Sequence, residues 1–125
     1  MKQTLYAISL AALLVSVTGC SMIPSFWDDN QSAKAIEVRQ NISEIDCAKY
    51  DPATAKNLQK SIQWFAFYSE AKGTKDVLEI SGKMSETVDS LVKKGESVSP
   101  AYCNAKKQIL EAQSKMFAKA VLGRF

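Results

Sequence analysis

The sequence contains no histidine. That absence excludes Ser-His-Asp and Cys-His nucleophilic centres, imidazole-bound zinc and haem held by a proximal histidine. Five glycines and three prolines in 125 residues are too few for a turn-rich β-sandwich. No stretch sustains the apolar–polar alternation of a half-buried strand, and no Gly-rich loop is built to cradle phosphate. The longest apolar run, residues 5–17, is broken by Ser9 and Ser16 and falls short of the roughly 20 residues that cross a bilayer. What is present is ordinary: 46% hydrophobic, 23% charged, formal net charge +3. Such a composition fits one small globular domain. It excludes a disordered chain and a multi-pass membrane protein, and the charge is too small to imply nucleic acid.

The first twenty residues read as a targeting segment. Lys2 is the positive end, the run over 5–17 is the apolar centre, and Val17-Thr18-Gly19-Cys20 closes it. This ending resembles the lipobox of bacterial lipoproteins, in which an aliphatic residue and two small ones precede the cysteine that receives lipid. The resemblance covers the export segment alone. It implies removal of residues 1–19, acylation of Cys20 (palmitate among the usual chains) and a lipidated tether over 20–29. Three chains are typical of such proteins, and each buried methylene adds about 0.8 kcal/mol, so the anchor is effectively permanent. Ser21 is not the aspartate that resembles an inner-membrane retention signal. The implied location is therefore the outer membrane, facing the periplasm. Tethers of this kind are often polar, but this one carries Met22, Ile23, Phe26 and Trp27. Trp favours the membrane interface, so the tether is expected either in the headgroup layer or packed back on the domain.

With Cys20 taken by lipid, Cys47 and Cys103 remain. An exported chain meets an oxidising compartment, so the pair reads as a disulfide. Neither lies in a C-x-x-C motif, which argues against redox catalysis. Two cysteines without histidine make a poor zinc site, and no cofactor is implied.

The domain over 30–125 reads as four helices. The first is expected over 30–47, with Asp28, Asp29 and Asn30 as cap candidates and Ala35, Val38, Ile42 and Ile45 as its apolar stripe. Asp51-Pro52 opens the second, where a proline at the first helical position loses no hydrogen bond. Ala55, Leu58, Ile62 and Phe65 form its stripe, and Gly73 stops it. The third is expected over 74–94, striped by Val77, Ile80, Met84, Val88 and Leu91 and stopped by Gly95. Ser99-Pro100 opens the fourth, whose face is expected to hold Tyr102, Ile109, Met116 or Phe117, and Val121 or Leu122, with Gly123 as the stop. Short connections favour antiparallel neighbours, giving an all-α up-down-up-down four-helix bundle. In that order the end of helix one and the start of helix four share a pole. Cys47 and Cys103 then fall together, and a disulfide joins helix boundaries that were read without it.

Three features remain as sites. The aromatic run Trp64-Phe65-Ala66-Phe67-Tyr68 spans more than half a helix circumference, so the rings cannot all face one core. Either Trp64, Phe65 and Tyr68 fill the core with Phe67 half exposed, or Trp64, Phe67 and Tyr68 form an apolar partner surface. The segment from 100 onward is basic, with Lys106, Lys107, Lys115, Lys119 and Arg124 against Glu111. It is either a solvated face or a contact for anionic lipid. Ser69-Glu70-Ala71-Lys72 and Ser90-Leu91-Val92-Lys93 match the S-x-x-K pattern of serine β-lactamases. The companion motifs are missing and the chain is too short for that fold, so catalysis is not expected. The combined expectation is a small lipid-anchored protein that binds an envelope protein as adaptor, assembly partner or inhibitor. The alternative is a structural or membrane-surface protein that touches lipid or cell-wall polymer through helix four.

Overall fold

The computed structural model describes residues 28–123. Residues 20–27 of the expected tether over 20–29, Cys20 among them, and Arg124 lie outside the described residues, while Asp28 and Asp29 of that tether cap and open α1. Four helices follow in order: α1 (Asp29–Ser43), α2 (Pro52–Lys72), α3 (Lys75–Lys94) and α4 (Pro100–Leu122), with one 3-10 turn at Gly95–Ser97. Among the described residues there is no strand.

The sequence's own capping chemistry sets most boundaries. The Asp28 carboxylate accepts from the backbone N–H groups of Asn30 and Gln31, at 3.0 and 3.2 Å. Asp51 accepts from Ala53 at 2.9 Å and Ser99 from Tyr102 at 3.2 Å, each just ahead of a proline. These bonds satisfy donors that a helix start leaves open. α2 ends at Gly73, whose φ of 71° is left-handed. The Gly73 and Thr74 N–H groups donate back to Glu70 and Ser69, the pattern that closes a helix on a glycine.

α1 ends four residues earlier than its pattern predicts. Glu44 N donates to Gln40 O and Ile45 N to Ile42 O, tightening the last turn. Asp46 then accepts from the N–H groups of Ala48 and Lys49. A short acidic side chain offers the backbone an alternative to the helix, and here the alternative wins. Ile45 and Cys47 are buried all the same, because the loop continues along the core.

α1 packs on α2 and α4, and α3 packs on the same two, so the helices form a ring in chain order. Cross-helix contacts show the directions. Asp28 pairs with Tyr68 while Glu37 pairs with Ser61, so α1 and α2 run antiparallel. Phe65 of α2 meets Phe117 of α4 across the core, rings edge to face at 4.3 Å. The disulfide joins Cys47 to Cys103 with Cα atoms 5.5 Å apart, where α1 has ended and α4 begins. Asp28 lies at the opposite pole, one helix length away.

Of the expected α4 face, Phe117 and Val121 hold among the alternatives, while its first half is out by one residue, with Cys103 and Leu110 in place of Tyr102 and Ile109. Cys103, Leu110, Phe117 and Val121 point inward, while Ile109 is 44% and Met116 58% exposed. Tyr102 is half-buried and packs only at the margin of the core. The cysteine itself dictates the phase. A disulfide at the bundle's seam turns Cys103 inward, and positions seven and fourteen residues on fall on the same face.

Candidate functional site

The aromatic run occupies the last third of α2, because Gly73 stops that helix just beyond it. Only Phe65 enters the core fully. Trp64 is 37% exposed and Phe67 71%, and Tyr68 is half-buried. The expectation that Trp64 and Tyr68 fill the core with Phe65 therefore fails, since the inward width of α2 is already taken by Leu58, Ile62 and Phe65. The Trp64 and Tyr68 rings stack at 4.8 Å, and Lys34 sits over the Trp64 ring at 5.6 Å. These contacts give the exposed indole one neighbour on its own helix and one on α1.

Tyr68 also ties this face to the start of α1. Its hydroxyl donates to the Asp28 carboxylate at 2.8 Å, and Lys72 Nζ lies 4.0 Å from the same carboxylate. Burial pushes the Asp28 carboxyl up. The hydrogen bonds from Tyr68, Gln31 and Asn30 and the charge of Lys72 outweigh that and hold it below the usual carboxylate range. One residue thus caps α1 and fixes the point where the chain enters the bundle to the aromatic end of α2.

The four lysines proposed for anionic lipid are not brought together. Lys107 is half-buried, and its ammonium donates to the carbonyls of Ser43 and Ile45, at 3.1 and 2.8 Å. It closes the C-terminal end of α1, where a cation also meets the negative end of the helix dipole. Lys106 lies over the Tyr102 ring at 5.4 Å, and Lys94 approaches the same ring at 4.2 Å. Lys115 and Lys119 are exposed nearer the other pole, about 18 Å along α4 from Lys107 in the case of Lys119.

The S-x-x-K pairs do not form dyads. Ser69 is fully buried while Lys72 points to Asp28. The Ser90 hydroxyl donates to Thr87 O at 2.6 Å, and Lys93 is exposed. Among the described residues no group of three His, Cys, Asp or Glu side chains could hold a metal.

The phase shift of α4 creates a surface that the sequence pattern missed. Ile80 of α3 and Met116 and Ala120 of α4 line an open groove of about 520 Å³, edged by Asp76, Lys119 and Gly123. The signal was available: placing Cys103 inward forces Ile109 and Met116 outward. Comparison with known protein families, curated proteins and solved structures found no match.

Proposed function

We propose that this protein is a lipid-anchored component of the bacterial outer membrane that faces the periplasm and acts by binding an envelope protein, as adaptor, assembly partner or inhibitor. The anchor rests on Val17-Thr18-Gly19-Cys20 and the signal segment before it. The binding role rests on one observation. A bundle closed by a disulfide leaves large apolar side chains of α4 in water, Ile109 and Met116, the latter lining the open groove beside Ile80. Burying such groups on a partner is favourable, and a rigid frame loses little conformational freedom in doing so. No helix among the described residues is long and apolar enough to cross a membrane, so attachment in this reading falls to the lipid.

Replacing Cys20 by Ala is expected to abolish labelling with a fatty-acid analogue and to move the protein out of the membrane fraction. Unchanged partition contradicts the anchor. Crosslinking in intact envelopes is expected to give one stoichiometric protein partner that is lost in Met116→Glu and kept in Phe67→Ser. Recovery of lipid or glycan alone contradicts the binding role.

A further inference from the structure

We propose that the outward face of α2, a stripe of Lys56, Lys60, Trp64 and Phe67, docks on the bilayer that holds the anchor, with the lysines on lipid phosphates and the aromatic rings in the headgroup layer. This inference rests on the lipid anchor proposed above and names the surface that the anchor brings to the membrane.

The stripe is a property of the helix. Lys56, Lys60, Trp64, Phe67 and Ala71 recur at spacings of four, four, three and four, which places them on one side of α2. All five are exposed. The neighbouring sides of α2 are taken, by α1 through Ser61 and Tyr68 and by α3 through the Gln59–Asp89 hydrogen bond at 2.6 Å. The exposed side is basic toward the disulfide pole and aromatic toward the other. α2 holds three lysines and one acidic residue, Glu70.

Chain length selects the membrane as the occupant. Asp28 follows Cys20 by eight positions, so the start of α1 lies within about 28 Å of the lipidated residue even with the chain fully extended. The Tyr68–Asp28 bond places that start beside the aromatic end of α2. Trp64 and Phe67 thus lie toward the pole that the anchor holds, which they share with the end of α4, and of the two helices α2 is the one whose exposed side joins aromatic rings to a row of lysines. An amphipathic ring at the headgroup level and lysines reaching phosphate are the side chains an interfacial helix uses. α4 lies across the core from α2, as the Phe65–Phe117 contact shows, so Ile109 and Met116 point away from a docked membrane.

The test uses the lipidated full-length protein in vesicles of phosphatidylethanolamine and phosphatidylglycerol, with and without bromine on the acyl chains. The chain has two tryptophans, so Trp27→Phe leaves Trp64 as the only indole. Trp64 emission is expected to be at least halved by brominated lipid. Adding K56E, K60E and F67S is expected to abolish that quenching while the protein still floats with the vesicles and keeps its helical circular dichroism. Flotation without quenching of Trp64 overturns the docking and leaves the anchor standing. Failure to float overturns the anchor and the docking with it. Quenching that persists in the triple variant overturns the assignment of the face.

Discussion

Asp28 shows how much one side chain can couple. It caps α1, accepts from Tyr68 and faces Lys72. Asp28→Ala is expected to lower stability by about 1–2 kcal/mol in denaturant unfolding, the usual scale for a lost cap and a cross-helix hydrogen bond. Its pH dependence has a definite sign. The folded carboxyl titrates below the unfolded value of about 3.9. The charge-linked stability is therefore complete above that value and lost as pH falls through the lower, folded value. Asp28→Asn keeps a capping oxygen, so its stability is expected to fall less than that of the wild type between neutral and strongly acidic pH. Glu37, held low by the Lys34 hydrogen bond and to a lesser degree by Ser61, loses its contribution in the same direction and keeps some slope in the variant. A second contrast tests the phase of α4. Leu110→Ala is expected to cost about 2–5 kcal/mol, and Ile109→Ala, one residue away, less than about 0.5 kcal/mol. Equal losses would mean that the helix is turned as its apolar pattern alone suggests.

At the scale of elements, starts were more legible than ends. Asp51-Pro52 and Ser99-Pro100 are local signals, read by the backbone N–H groups within the next few residues, and the helices begin where those signals stand. The end of α1 was not legible, because Ile45 continues the apolar spacing beyond the last helical turn. Apolar spacing reports burial, and a loop that runs along the core is buried too. The stripe of α4 was ambiguous for a related reason. Two sets of apolar residues lie one position apart, Ile109 with Met116 and Leu110 with Phe117, and only packing against the other helices, with Cys103 turned toward Cys47, chooses between them. The aromatic run was legible as too wide for the core, but not as a fixed outer face, since the Lys34 and Asp28 contacts that hold it come from another helix. One element-level change is expected to help. Gly82 is an exposed position of α3 with nothing within 4 Å of where a Cβ would sit. Gly82→Ala should raise stability by about 0.5–1 kcal/mol, seen as a higher denaturant midpoint with an unchanged slope.

At the scale of the whole molecule, the disulfide and the chain's entry point occupy opposite poles, so the bundle has a direction. The bond closes a loop with a sequence separation of 56, and its removal in Cys47→Ala/Cys103→Ala is expected to cost about 4 kcal/mol by releasing the unfolded chain. Denaturing the oxidised protein should reveal neither thiol to a titrating reagent. In the proposed membrane-bound state α2 lies along the bilayer surface, with its aromatic end toward the anchor and its lysines toward the disulfide pole. Everything in that orientation depends on lipid at Cys20. The intact mass of the protein extracted from membranes measures this directly. A lipid-anchored protein gives the mass of residues 20–125 plus a diacylglyceryl group and an amide-linked acyl chain, less the two hydrogens of the Cys47–Cys103 bond. A chain that begins at any other residue, or that begins at Cys20 with no added acyl mass, would contradict the anchor and the orientation built on it.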